Sequence, residues 1–426
     1  MAENFSAIFF AYMYFVHYFF SILKESKKCI RYITHRNRRK KMDLKDFNTA
    51  QEIIPCKNPV RTNWIIAVDI GFSGVKGLSP NKVFCFPSYV KKMDNSLMSV
   101  DDDDIYYKDE DGFYMIGTKA QDLIKADDTN DTGSNFDRNR YYTKEFIVLA
   151  RTAVAIGLMD NEERKNHPVL KPFVQTGLPA AYLKEDAPKI KSAFCKHGAY
   201  EVKIGNGPWM KFENTLNQRD ISVMSQPAGT LNSLLFDDNG DRQENAKDLM
   251  NKNIIIADIG FGTFDPYGIV NRERVLEESI NNLGMKRVLE VASEYIYKDY
   301  GKDIRISQMR KYMKDGEFKI VDIQAMKSKT VPLDGYIEKA CKEVATMAAK
   351  KLYEIAGYFR DYNILVVTGG TGAAWFTYFK EILSGLEGLL IIPGNEGNKL
   401  PIYYANARGY YMSAYRRLRK SGNGEA

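Results

Sequence analysis

Four strands stop abruptly at a glycine turn, and three of them are apolar without polar alternation. Residues 64–68 run into Asp69-Ile-Gly71-Phe72-Ser73-Gly74-Val-Lys76, and the more mixed strand 169–178 ends in Thr176-Gly177-Leu-Pro179. Residues 254–257 run into Asp258-Ile-Gly260-Phe261-Gly262-Thr263-Phe-Asp265, and residues 364–367 into Thr368-Gly369-Gly370-Thr371-Gly372. Uninterrupted β-branched runs of this length predict strands covered on both faces. The glycines after them let the backbone reverse tightly and bring its N–H groups to the strand end. Between these strands the period changes to a helical one. Residues 143–158 have a capping Thr143 and helical apolar spacing, Asn281-Asn-Leu-Gly284 opens another helix, and residues 332–358 hold a long amphipathic one. The segment 186–212 mixes a Lys-rich helix with short strands, and residues 404–411 lead into a basic C-terminal helix. An Asp111-Gly112 step between aromatic runs predicts a β-hairpin. Residues 220–225 form a strand that ends at Gln226-Pro227 and enters a helix. Strands alternating with helices on this scale make an α/β protein.

The first and third of these turns share one phrase, an apolar strand, then Asp-Ile-Gly-Phe, then small residues. A single copy is a common turn. Two copies 189 positions apart predict two similar domains facing each other across a cleft, each offering a hairpin tip with amide donors beside a carboxylate. That combination suits a polyphosphate with its metal. Amides and an ammonium meet phosphate oxygens, and the aspartate meets a hydrated cation.

At 426 residues the chain is long enough for two domains with cores of their own. Its net charge of +7 lies wholly in residues 1–41, where nine Lys and Arg stand against Glu3 and Glu25. The other 385 residues are electrically balanced, which removes a general nucleic-acid signal. Cys29, Cys56, Cys85, Cys195 and Cys341 are scattered, as reduced thiols of a cytoplasmic protein are, and form neither a disulfide frame nor a zinc motif. His17, His35, His167 and His197 lack metal-ligand spacing and read as surface or loop residues. Residues 7–23 are apolar and aromatic, broken only by His17 and Ser21, and the basic flank follows. Two readings stay open: an N-terminal membrane anchor, or an extension accessory to a working chain that starts near Met42. Residues 42–61, polar with Pro55 and Pro59, read as a linker. The run Asp101–Asp104 reads as a solvated loop, with a metal role as its alternative.

The ordered set of turns resembles the ATPase superfamily of actin, Hsp70 and the sugar kinases, over roughly residues 62–420. Asp69-Ile-Gly71-Phe-Ser-Gly-Val-Lys76 is similar to the first phosphate motif and Asp258-Ile-Gly260-Phe-Gly262-Thr263 to the second. Gln226 is similar to the first connecting motif, Thr368-Gly-Gly-Thr371 to the adenosine motif, and Ala405-Asn-Ala-Arg-Gly409 to the second connection. Within that superfamily, Tyr114-Met-Ile-Gly117, Thr176-Gly-Leu-Pro179 and Asn406-Ala-Arg-Gly409 resemble the bacterial plasmid-segregation actins of the ParM type. The chain departs from the pattern at Phe261, where a glycine is usual, and at Phe264-Asp265-Pro266, where a Thr-rich continuation is.

The resemblance implies duplicated ribonuclease H-like (actin-like) domains around a central nucleotide cleft. The expected boundaries are an N-terminal extension and linker at 1–61, domain I at 62–235 completed by about 400–426, and domain II at 236–399. It implies ATP or GTP with Mg2+, gripped by Gly71, Phe72, Ser73 and Lys76, by Gly260, Phe261, Gly262 and Thr263, and by Gly369, Gly370 and Thr371. Asp69 and Asp258 would hold the metal mainly through water, and Gln226, read from the residues alone as a polar cap of its turn, would orient the attacking water. The implied activity is nucleotide-dependent polymerisation coupled to hydrolysis, used in plasmid segregation. A small DNA-binding adaptor would serve it, without direct nucleic-acid contact. The alternatives are a non-polymerising kinase of the same fold, which needs an acceptor-site carboxylate that the sequence does not reveal, and a membrane-tethered scaffold that depends on residues 7–23.

Overall fold

The two halves of the chain build the same five-stranded pattern. In the first, β2 (Asn63–Ile70), β3 (Gly74–Ser79) and β4 (Lys82–Pro87) form an antiparallel meander, and β8 (Lys171–Leu178) and β11 (Ile221–Ser225) add in parallel on the other side of β2. In the second, β12 (Ile254–Ile259), β13 (Thr263–Val270) and β14 (Glu273–Glu277) form the meander, and β18 (Ile364–Thr368) and β19 (Leu390–Pro393) add in parallel beside β12. The strand order is thus repeated, β4-β3-β2-β8-β11 and β14-β13-β12-β18-β19. This duplicated α/β architecture is the one expected from the paired strand-turn phrases. The computed structural model describes residues 50–53, 63–94, 101–123, 138–159, 170–322 and 324–422. The described elements all belong to one compact unit, residues 42–426.

Each central strand is apolar throughout because its two faces enter different cores. On β2, Trp64, Ile66, Val68 and Ile70 pack into a first cluster with helix α1 (Lys144–Leu158), while Ile65 and Ala67 point the other way. On β12, Ile255, Ala257 and Ile259 enter a second cluster, and Ile254 and Ile256 turn to the same intermediate core as Ile65 and Ala67. That shared core is filled by helix α3 (Gln226–Leu235) and by Tyr403, Tyr404, Tyr410, Tyr411 and Tyr415, most of them on helix α8 (Ala405–Gly422). The other long helices are α2 (Leu183–Phe194), α4 (Met285–Tyr300), α5 (Ile306–Asp315), α6 (Asp334–Ile355) and α7 (Gly370–Ile382). Thr143 caps α1 as its side chain suggested, accepting from the Phe146 amide at 3.2 Å. A smaller sheet, β10-β9-β6-β7-β5 (Met210–Asn214, Gly198–Ile204, Ile105–Asp109, Gly112–Ile116, Val90–Met93), contains the Asp-Gly hairpin. β15 (Ile280–Asn281) pairs with β13, and among the described residues β16 (Glu317–Asp322) and β17 (Lys327–Pro332) pair only with each other.

Two expectations are corrected. Part of the linker is structured, because Ala50–Ile53 forms β1 on the outer edge of β4; four residues are too few to show a period. The acidic run is not wholly solvated. Asp104 is buried, accepting from the Tyr106 hydroxyl at 2.9 Å and from the Asp101 amide at 2.9 Å, with the Lys119 ammonium at 3.8 Å. The candidate anchor at 7–23, its basic flank, His17, His35, His167, Cys29 and Cys56 lie outside the described residues. Among the described residues, no helix is long and apolar enough to cross a membrane. Among the described residues, Cys85, Cys195 and Cys341 form no disulfide.

The tightest joint in the fold is between α3 and α8, where a Cβ on Gly409 would stand 1.6 Å from the Gly229 carbonyl oxygen. Gly409→Ala is expected to lower stability by more than ~3 kcal/mol, because backbone must move to admit the methyl group. Gly335→Ala, at an open position in α6 with nothing within 4 Å of the added carbon, is expected to raise it by ~0.5–1 kcal/mol. Urea midpoints of the two variants against the parent chain check both signs.

Candidate functional site

The two repeated hairpins close in the same way. In β2–β3 the Gly71 amide donates to the Gly74 carbonyl at 3.0 Å, and in β12–β13 the Gly260 amide donates to the Thr263 carbonyl at 2.9 Å. The tips lie side by side, since a Cβ on Gly262 would meet the Phe72 ring at 3.4 Å. The first tip is braced from behind. The Ser88 hydroxyl donates to the Gly71 carbonyl at 2.8 Å, and the Ser88 amide to the Ser73 carbonyl at 3.2 Å. The Arg140 guanidinium donates to the Ile70 carbonyl and lies 4.3 Å over the Phe72 ring. Burial pushes its pKa down.

Register puts opposite charges at equivalent places in the two hairpins. Asp69 stands across the ladder from Lys76, whereas Asp258 stands across from Asp265. All four side chains are buried. Asp69 lies 3.4 Å from the Lys76 ammonium and accepts from the Gln226 side-chain amide at 3.4 Å. Asp258 accepts from the Asn406 amide at 2.7 Å, and Asn406 in turn accepts from the Thr230 hydroxyl at 2.7 Å. Asp265 accepts from Thr263 at 2.8 Å and from the Ser279 hydroxyl. Burial first, and then the charge of Asp265, push the Asp258 carboxyl up to about 7. Burial pushes Asp265 up to about 6 against the hydroxyls that favour its charged form.

Three buried carboxylates stand here against two cations, the Lys76 ammonium and the Arg140 guanidinium, whose charge interacts with that of Asp69. Among the described residues no three carboxylate, thiol or imidazole groups converge as a direct metal cage; Asp69 and Asp258 are the carboxylates that could meet the waters of a cation. A buried polar atom without a partner points the same way: the Tyr410 hydroxyl lies beneath this floor with no hydrogen bond.

The remaining candidates divide. Gly369, at φ +85°, leaves no room for a side chain, because a Cβ there would stand 2.3 Å from the Ile259 carbonyl and 2.6 Å from an Asp258 carboxylate oxygen. Gly370 is open, at the start of α7. Thr371 turns its hydroxyl to the Gly260 carbonyl at 2.6 Å, so it steadies the second hairpin. Phe261, the departure from the expected glycine, is buried in the second core. The Arg310 guanidinium of α5 lies 5.1 Å over the Phe261 ring and 4.7 Å over Tyr89, to whose hydroxyl it also donates. That stack ties the second hairpin to the segment between β4 and β5.

Sequence reasoning named Asp69, Lys76, Gln226 and Asp258, and the structure brings them to one floor. It missed the place of Asp265, although an offset of seven from each aspartate aligns it with Lys76. It noted Asn406 only as part of a motif. Nothing in the sequence joins Arg140, Arg310 or Tyr89 to the hairpins.

Residues 67–229 match the family model described as the actin-like proteins N-terminal domain. Among solved structures, a non-polymerisable quadruple mutant of pCBH ParM has a TM-score of 0.64 at 20% identity, over 83% of this chain and 99% of that one. A 15-stranded ParM filament from Clostridium botulinum has 0.61 at 20%, over 84% and 99%. The archaeal actin homologue Ta0583 in complex with ADP has 0.56 at 17%, over 83% and 99%. At these identities the likeness is one of fold. No match is found among curated proteins.

The raised carboxyls give a signed pH dependence. The folded chain keeps protons on Asp258 and Asp265 that the unfolded chain releases near an ordinary carboxyl's 3.8, so stability falls as pH rises through 6 and 7. Asp265→Asn, which removes the like charge, is expected to reduce that fall by about 1–2 kcal/mol between pH 5 and pH 8. Urea unfolding of the ligand-free protein across this range measures it.

Proposed function

We propose that this actin-like chain, whose fold is of the ParM type, is a nucleotide-dependent filament former. It binds ATP or GTP with Mg2+ between the paired hairpins, hydrolyses it, and assembles head to tail while the nucleotide is bound. The observation that carries the reading is the equal placement of Asp69 and Asp258 at two facing hairpin tips over a floor short of positive charge. The solved structures of similar fold include ParM and Alp12 filaments and an ADP complex, which supports extending the reading from fold to use. The lobes would comprise residues 62–235 with 400–426, and residues 236–399.

In this reading Asp69 and Asp258 accept hydrogen bonds from the waters of the cation, and Lys76 offsets phosphate charge. The backbone around Gly71, Phe72 and Ser73 and from Gly260 through Phe261 and Gly262 to Thr263 surrounds the phosphates, while Gly369, Gly370 and Thr371 border the nucleoside. Bound there, Mg2+ would supply electrostatic stabilisation of the transferred phosphoryl group. Gln226, first residue of α3 and already turned toward Asp69, orients the attacking water. A carboxamide can align water without taking its proton, so its contribution is positional. The product would be a polymer that weakens on hydrolysis and serves plasmid segregation in the cytoplasm through a small DNA-binding adaptor.

Light scattering and negative-stain microscopy of the full chain with Mg·ATP, Mg·GTP or no nucleotide test the reading, beside Asp258→Ala and Gln226→Ala. Expected are filaments only with nucleotide, none in Asp258→Ala, and in Gln226→Ala assembly with phosphate release slowed ~10²–10³-fold. A protein that hydrolyses nucleotide yet stays monomeric at high concentration would overturn the filament assignment.

A further inference from the structure

Helix α8 presents two polar side chains one turn apart on the face it turns toward the floor of the cleft. Asn406 is committed to Asp258 at 2.7 Å. Tyr410, four residues on and therefore on the same face, is fully buried, and its hydroxyl has no hydrogen-bond partner. An orphaned buried hydroxyl costs free energy, so its retention requires an account.

Two glycines make room for it. A Cβ on Gly177 would stand 2.1 Å from the Tyr410 hydroxyl oxygen, and a Cβ on Gly229 2.5 Å from the Tyr410 ring. The phenol is therefore threaded between β8 and α3 until its oxygen lies over Gly177. β2 and β8 run parallel with Val68 abreast of Thr176, so the next step sets Gly177 abreast of Asp69, one strand spacing of about 4.8 Å away. Parity decides which groups share that side. Asp69 lies on the same side of its strand as Ile65 and Ala67, which face the core that contains Tyr410, whereas Val68 faces the opposite core. Thr176, whose hydroxyl is also unpartnered, falls between Gln175, which meets Arg417 of α8 at 3.2 Å, and Gly177, and so points away from Asp69. Of these two unpartnered hydroxyls, that of Tyr410 is the one on the side of Asp69. The charges of both Asp69 and Asp258 act on its hydroxyl and, after burial, help to hold it protonated.

We propose that the Tyr410 hydroxyl holds one of the waters through which Asp69 would carry the divalent cation, as Asn406 steadies Asp258 on the other side. The hydroxyl oxygen would accept one proton of that water, whose other proton goes to the Asp69 carboxylate, so one helix would set the geometry of both aspartates. Tyr410 is a positioning residue in this arrangement, and the inference rests on the cleft being a nucleotide and metal site.

The test compares full-length wild type with Tyr410→Phe. Mg2+ is titrated at a fixed concentration of a fluorescent ATP analogue, a second series in EDTA measures metal-free affinity, and melting temperature is read without ligand. Expected is an Mg2+ midpoint raised about tenfold in the variant, the range for groups that orient metal ligands. Metal-free affinity should be unchanged and the melting temperature equal or higher, since the lost hydroxyl was unpaired. An unchanged Mg2+ midpoint overturns the proposal, as does an equal loss of affinity with and without metal, or a variant that does not fold. A wild-type protein without Mg2+-dependent binding removes the reading of the cleft, and this proposal with it.

Discussion

Burying carboxylates without enough positive charge is the constraint around which this molecule is arranged. Asp69, Asp258 and Asp265 are withdrawn from water at the ends of two strands, with the Lys76 ammonium and the Arg140 guanidinium as the cations near them. Desolvating an ionised carboxylate is costly unless it is paired or hydrogen-bonded. The protein meets part of that cost with neutral donors, the amides of Gln226 and Asn406 and the hydroxyls of Thr263 and Ser279. It meets another part by favouring protonation. What is left is a charge deficit at the place where two glycine-closed tips touch. Because the deficit is created by strand register, it is fixed by the fold and does not depend on loop conformation.

Register in turn depends on the core between the sheets. The two meanders keep their aspartates at matching heights because the strands behind them are gripped on both faces, one face by a cluster private to each half and the other by a cluster common to both. α3 and α8 fill that common cluster at backbone contact, with Gly229 against Gly409. Side chains could slide there, but touching backbones leave one spacing. The same joint admits Tyr410 and aims Asn406, so packing and electrostatics share their residues.

Much of this was legible in the sequence for one reason: strands covered on both faces cannot alternate. Residues 64–68 and 254–257 therefore announce themselves, and the Asp-Ile-Gly phrase marks where they stop. Pairings between distant elements were not legible. Ala50–Ile53 is a strand only because β4 offers an edge. Asp104 is buried where the Lys119 ammonium, from a separate element, stands 3.8 Å away. Phe261 stands where a glycine was expected, and its neighbour is not local: Arg310, on a helix 49 positions along the chain, stacks on it and on Tyr89. Asp265 is the instructive case, since aligning the two copies of the phrase exchanges Lys76 for a carboxylate, and the exchange alone exposes the charge deficit.

The dependence of both halves on α8 also bears on how the molecule comes into being. Each meander and its parallel strands are contiguous enough in the chain to fold as synthesis proceeds, N-terminal half first. The helix that completes the shared core follows every other described element in sequence. Until Ala405–Gly422 has emerged, the two halves have their private cores but an open apolar face between them, and Asp258 lacks its amide donor. A nascent chain can thus make both hairpins long before Asn406 and Tyr410 reach them, and the carboxylate floor is completed only when translation has passed that helix.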